Sequence, residues 1–292
     1  MRPTRSVTHS VNEYRYEMLT WPEIDAVVAQ SPVILLPVGA TEQHGRHLPL
    51  DVDHRLAREI SLEVGRRSSG GVLVLPPVNY GYCHHVMDFP GTINIQMEHM
   101  INFCLDITKS VAYHGFKRIV LLNAHGSNDP LLQIVARKTN LVTDAVCSAF
   151  SWWSVAMKAF NEVRESEYPG GCAHACELET SMYLYLQPDG VRKEHIRDEV
   201  GPNVGDGEST WYAFDLAGGA PTSPVPWTST YTESGVIGRP SLGTAEKGRV
   251  AFEGAVGETL RFCSWFRTWQ SPPRRDRHRR PPSMELPFQD GI

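Results

Sequence analysis

The chain has 292 residues, a formal charge of −5, and a 41% apolar fraction that includes seven tryptophans. That is apolar surface enough for one sizeable core, and the mild acidic balance with scattered basic residues argues against nucleic-acid binding. No apolar run approaches the roughly 18 residues of a membrane-spanning helix. The polar first residues, Met1 to Asn12, lack an apolar signal core, so the expected location is cytoplasmic. Six irregularly spaced cysteines (Cys83, Cys104, Cys147, Cys172, Cys176 and Cys263) are expected to be reduced core thiols.

Residues 1–15 read as a flexible N-terminal arm, 16–270 as a single domain and 271–292 as a disordered Pro/Arg-rich tail. Thr20 and Pro22 mark the start of a helix that ends near Gln30. The apolar run Val33 to Val38 predicts a buried strand, and Gly39, Glu42 and His44 follow it at once. From Asp53 to Arg66 the stripe Leu56, Ile60, Val64 predicts a helix with Asp53 at its N-terminus, where the helix dipole favours a carboxylate. A second strand (Val72 to Leu75) leads into a long loop, Tyr80-Gly81-Tyr82-Cys83-His84-His85 and then Phe89-Pro90-Gly91-Thr92. His84 and His85 read as ordinary loop histidines. Met97 to His114 is an amphipathic helix stopped by Gly115, and Arg118 to Leu122 is a third strand, followed by Asn123-Ala124-His125-Gly126-Ser127-Asn128. A helix from Pro130 to Thr139 and a fourth strand, Asp144 to Phe150, lead to Ser151-Trp152-Trp153.

The segment Pro169 to Ser181 carries His174, Glu177 and Glu179, and Met182 to Leu186 suit a buried helix. Positions five apart on one helix subtend about 140°, so His174 and Glu179 converge only if His174 lies in the loop before the helix. Glu177 reads as a solvated first-turn acid. Residues 200–234, rich in Gly, Pro, Ser and Thr with Trp211, Tyr212, Phe214 and Trp227 among them, suit a lid or an oligomer contact. A last helix spans Val250 to Trp269.

Strands alternating with helices predict an α/β fold with a mainly parallel sheet and helices on both faces. In such folds ligands bind beyond the carboxyl ends of the strands. Alone, a Glu-x-His pair in a loop reads as solvated surface. Here further carboxylates and imidazoles recur after later strands, and that mixed oxygen and nitrogen set suits Zn, Mn or Fe better than Ca or Mg. No Gly-x-Gly-x-x-Gly follows the first strand, which speaks against a dinucleotide site.

The run Leu36-Pro37-Val38-Gly39-Ala40-Thr41-Glu42-Gln43-His44-Gly45, continued by Leu48-Pro49-Leu50-Asp51-Val52-Asp53, resembles the Leu-Pro-x-Gly-x-x-Glu-Gln-His-Gly signature of the creatininase (creatinine amidohydrolase) family. The Asn-x-His-Gly element at His125 and the His-Ala-x-x-x-Glu-Thr-Ser element from His174 to Ser181 extend the resemblance, which spans about Leu19 to Arg267. It implies a three-layer α/β/α sandwich, homo-oligomers (commonly hexamers), and hydrolysis of a small-molecule amide C–N bond, with a small cyclic amide as the expected substrate. It also implies two divalent metal ions per chain, with Glu42, Asp53 and His125 at one, and His44, Asp53 and Glu179 at the other. His174 is the implied proton-transfer group, with Glu179 as a further catalytic carboxylate. Tyr82, Ser127 and Trp153 are the implied substrate contacts, although Trp153 equally suits a core-capping role. Some family members place a metal-binding Glu where this chain has Ser127. Gly126 and Gly170 replace aromatic residues of creatininase itself, which moves creatinine down the list of substrates. A formamide deformylase and a mycofactocin-type peptide-trimming hydrolase stand as alternatives within the family. Outside enzymes, the alternative is a decayed, metal-free binding protein.

Overall fold

The computed structural model describes residues 13–200, 212, 214–218, 222, 224–280 and 282–284. Four strands, β1 (Val33–Val38), β2 (Val72–Val74), β3 (Arg118–Asn123) and β4 (Val146–Ser151), form one parallel sheet in the order β2-β1-β3-β4. Side chains alternate across a strand, so each apolar run feeds two cores. Val33 and Leu35 of β1, with Val120 and Leu122 of β3, enter a core built with α2 (Val52–Arg67), α5 (Trp152–Phe160), α6 (Glu177–Leu186) and α7 (Ala245–Thr268). Ile34, Leu36 and Val38, with Ile119 and Leu121, enter the opposite core with α1 (Trp21–Val28), α3 (Met97–Tyr113) and α4 (Asp129–Val142). The result is a three-layer α/β/α sandwich, as the strand and helix pattern predicts. A separate antiparallel pair, β5 (Cys172–His174) with β6 (Ile237–Gly238), stands beside it. No helix among the described residues is long and apolar enough to cross a membrane.

The local chemistry explains the boundaries. Thr20 and Glu23 form a reciprocal capping box at the start of α1, and Thr244 caps α7 by accepting from the Lys247 N–H. All six cysteines are buried free thiols, with Cys172 and Cys176 Sγ 3.2 Å apart.

Several expectations need correction. Tyr14 and Arg15 do not belong to a free arm: Arg15 bridges to Val74, and the Tyr14 carbonyl accepts from the Val74 N–H at 2.7 Å. Residues 1–12 lie outside the described residues, as do 201–211, 213, 219–221 and 223 within the Gly/Pro-rich stretch, and 281 and 285–292 in the tail. The helix after Ser151 was not anticipated. His174 ends a short strand instead of sitting in a loop, and it turns into α6 through Ala175 at a left-handed φ of 48°. Glu177 is not solvated. Its carboxylate is fully buried, accepts the Ser166 N–H at 2.8 Å and the Glu165 N–H at 3.1 Å, and pairs with Lys247 from α7. Burial opposes ionisation of Glu177, but the Lys247 ammonium and the Ser166 N–H together hold its carboxyl below the ordinary range.

Candidate metal centre

The site is assembled at the carboxyl ends of β1 and β3. After Val38 the chain makes a compact turn in which the Glu42 N–H donates to Leu50 at 3.1 Å, burying Glu42 and His44. Gly39 allows α2 to start against this turn. A Cβ there would lie 2.3 Å from the His54 nitrogen and 2.7 Å from the Asp53 carbonyl carbon, both backbone atoms that cannot yield without moving the helix start. Gly39→Ala is therefore expected to cost about 1–3 kcal/mol of stability and to displace Asp53; a thermal unfolding midpoint equal to that of the unmodified protein would refute this.

Asn128 ties the parts together. Its side-chain amide donates to the Gly39 carbonyl at 3.0 Å, and its oxygen accepts the Tyr82 N–H at 2.9 Å. His125 follows β3, Asp53 lies in the first turn of α2, and β5 with α6 supplies His174 and Glu179.

Two imidazoles face one aspartate. His125 Nδ1 lies 2.9 Å from Glu42 Oε1 and 3.3 Å from Asp53 Oδ2. Its Nε2–H donates to the Tyr82 carbonyl at 2.9 Å, which fixes the tautomer and leaves Nδ1 turned to the carboxylates. His44 Nε2 lies 3.1 Å from Asp53 Oδ1 and 3.8 Å from Glu179 Oε1, while its Nδ1 is turned to the Glu42 carbonyl at 3.3 Å. The two oxygens of Asp53 thus point to different imidazoles. The His174 ring packs 4.4 Å from that of His44, donates from Nε2 to the Gln43 carbonyl at 2.9 Å, and turns Nδ1 toward Glu42 Oε1 at 3.9 Å.

The electrostatics are those of a cation site. Burial would discourage charge on every member. Against it, Asp53 and Glu179 raise His44 well above the ordinary imidazole range, and Glu42 and Asp53 do the same for His125. Glu42 and Asp53 are correspondingly lowered, despite burial, by the facing imidazoles. Protonated imidazoles here offset crowded carboxylates, a task that a divalent cation performs without the protons. Glu42 Oε2, His44 Nε2 and Asp53 Oδ2 are buried and have no hydrogen-bond partner. Buried polar atoms are rarely left so unless an ion or water is their partner. Donor atoms within 4.8 Å of one another are offered by His44 with Asp53 and Glu179, by Glu42 with His44 and His174, and by Glu42 with Cys83 and His125. The residue types and their orphaned atoms fit a divalent transition metal.

The structure brings Glu42, His44, Asp53, His125, His174 and Glu179 together, as the sequence suggests. The other named residues stand differently. Tyr82 contributes its carbonyl, while its ring stacks at 6.4 Å on His84. Ser127 Oγ lies 3.4 Å from His85 Nδ1, so His85 belongs to the wall of the site. Trp153 is the second residue of α5, edge-on to the buried Trp152 at 6.1 Å, and it is partly buried against the core. Sequence reasoning missed Cys83, Gln43, Asn128 and His47. Cys83 Sγ is buried 3.8 Å from His125 Nε2. The Gln43 amide donates to Gly235 at 3.0 Å and sits 3.0 Å from His174 Nε2. His47 Nε2 lies 2.9 Å from Thr180 Oγ1, and burial, aided by His44 and His174, pushes its pKa down to about 4. Only the adjacency of Gln43 to the two candidate ligands could have flagged it; the partners of the other three come from far along the chain.

Comparison with known proteins agrees with this architecture. The family model described as "Creatininase: Creatinine amidohydrolase" matches residues 17–263. A mycofactocin precursor peptide peptidase from Mycobacterium ulcerans is 31% identical over 242 residues, covering 80% of this chain and 86% of that protein. A creatinine amidohydrolase from Pseudomonas putida is 32% identical over 197 residues, covering 62% of this chain and 74% of the other. A crystal structure of creatininase superposes with a TM-score of 0.69 at 26% identity, covering 88% of this chain and 99% of that one. Other solved creatininases include a Zn-Zn type and a Mn form. An α/β/α sandwich with acid and imidazole ligand candidates at the strand ends is the class of protein that the fold and site define. Within that class, the chain belongs to the creatininase family.

Proposed function

We propose that this protein is a metal-dependent hydrolase of an amide C–N bond, with a small cyclic amide as its substrate. The observation that carries the reading is the set of orphaned buried atoms on Glu42, His44 and Asp53, with Asp53 turned to both imidazoles. Glu42, His125 and Asp53 would hold one divalent ion, and His44, Asp53 and Glu179 the second, with Asp53 shared. When bound, such ions lower the pKa of water and polarise a carbonyl.

The protein's own groups do the rest. The Tyr82 and Glu42 carbonyls orient His125 and His44, so that each presents one fixed nitrogen. His174 is only partly buried, within reach of an incoming substrate, and the Gln43 carbonyl occupies its Nε2. Its Nδ1 is therefore the atom that takes up a proton and returns it to the leaving nitrogen. His174→Asn is expected to keep its metal and lose turnover by about 10²–10⁴-fold. Metal analysis beside a kinetic assay tests this: a variant with full metal and full activity would remove His174 from the mechanism.

A second reading, trimming of a short peptide, is favoured by one observation. The mycofactocin precursor peptide peptidase aligns over a larger share of this chain than the creatinine amidohydrolase does. Assaying cyclic amides and short peptides side by side on the metal-loaded protein separates the two.

A further inference from the structure

Two segments outside the metal centre converge on it. The first is fixed by Asp215, whose buried carboxylate takes a bidentate pair from Arg164 at 2.6 and 2.9 Å and also accepts the Gly170 N–H at 2.9 Å. The next residue, Leu216, donates its N–H to the Cys172 carbonyl at 2.9 Å, on the strand that carries His174. Phe214, immediately before Asp215, is therefore held beside that strand.

The second segment, Trp227 to Gly235, is tied at both ends to residues that flank the site. At one end Ser229 bonds to Asp88, and Trp227 packs on His84 with ring centroids 5.1 Å apart. At the other, the Gly235 carbonyl accepts from the Gln43 side chain, which also contacts His174. Tyr231 lies between these anchors. Its ring sits 5.2 Å from that of Phe214 at 34°, and Phe214 in turn meets Tyr212 edge-on at 5.0 Å. The Tyr231 hydroxyl has one described contact, a long 3.4 Å approach to Thr228 Oγ1. Burial raises its pKa, partly offset by the Thr228 hydroxyl. Phe214, Tyr231 and Trp227 are all incompletely buried, with Trp227 42% exposed. The aromatic groups keep free surface instead of closing into a core.

We infer that the Phe214–Tyr231 ring pair is a recognition wall for a flat, conjugated or aromatic group beside the scissile amide of the substrate. The inference rests on the metal-hydrolase reading and narrows its substrate class. A flat group laid against an offset aromatic pair gains dispersion and quadrupole attraction that an aliphatic group of the same reach does not. The anchors matter because a wall held at Asp215, Asp88 and Gln43 loses little freedom when the substrate arrives.

Two hydroxamic acids test it, because both present the same metal-binding head. Calorimetric Kd values for benzohydroxamic acid and acetohydroxamic acid are measured on the metal-loaded full chain. Benzohydroxamic acid is expected to bind about tenfold more tightly. In Phe214→Leu, which keeps an apolar side chain but removes the flat ring, the preference should fall to within about twofold. Arg164→Met, which frees Asp215 and with it Phe214, should erode it in the same direction. Equal affinities in the unmodified protein, or an undiminished preference in Phe214→Leu, overturn the wall. If neither compound binds, the metal centre itself is wrong, and the inference falls with it.

Discussion

Asp53→Asn is expected to strip the protein of both proposed metal ions and to lower kcat/KM by about 10³-fold or more. Among the described residues, Asp53 is the one whose two oxygens face different imidazoles, His44 Nε2 at 3.1 Å and His125 Nδ1 at 3.3 Å. The amide nitrogen presents a donor where one ion needs an acceptor, and the oxygen that remains is neutral where the other ion needs a charged ligand. The shape is nearly unchanged, so the fold should survive and the loss be chemical. Glu42→Ala and His125→Ala should also abolish metal binding and turnover, through the ion that those two residues share with Asp53. Metal analysis and circular dichroism on the purified variants separate loss of metal from loss of fold. Full activity in Glu42→Ala or His125→Ala would show the ligand assignment to be wrong.

Lys247→Met is expected to destabilise the protein by about 3–5 kcal/mol, the usual cost of leaving a buried carboxylate without its counter-charge. Glu177 is fully buried and Lys247 nearly so, and Lys247 also donates to the Leu242 carbonyl at 2.8 Å and pairs with Glu165 at 2.6 Å. The pair joins α6, which carries Glu179, to α7. The same logic fixes a pH dependence. The folded-state pKa of Glu177 is lowered from 4.5, so its contribution is fully present above that value and is lost as pH falls through the lower folded value. In Lys247→Met the carboxyl should titrate upward instead, and the acid limb of the stability curve should flatten. Urea unfolding across pH 3–7 reads both effects; a shift below about 1 kcal/mol would mean that the pair is solvated like a surface bridge.

The candidate ligand residues were legible because they lie in short local patterns. Glu42 and His44 share one turn, Asp53 opens the next helix, and His125 follows an apolar strand that could only be interior. The four sheet strands were readable for the same reason, since β1 and β3 are buried on both faces and so appear as continuous apolar runs. The convergence of His174 with Glu179 was anticipated from helix geometry, but not its means, a strand paired to residues more than sixty positions away. Glu177 was misread because a first-turn acid looks the same whether water or a distant lysine faces it, and Lys247 arrives from the far end of the domain. Tyr231 and Phe214 lie in stretches without periodicity, where no local pattern shows that their rings meet.

The most direct test of the metal centre is elemental analysis of protein purified without added metal. About two divalent ions per chain are expected, falling to none in Asp53→Asn. A chain that arrives metal-free and takes up no Zn, Mn or Fe on equilibrium dialysis would contradict the hydrolase reading at its foundation.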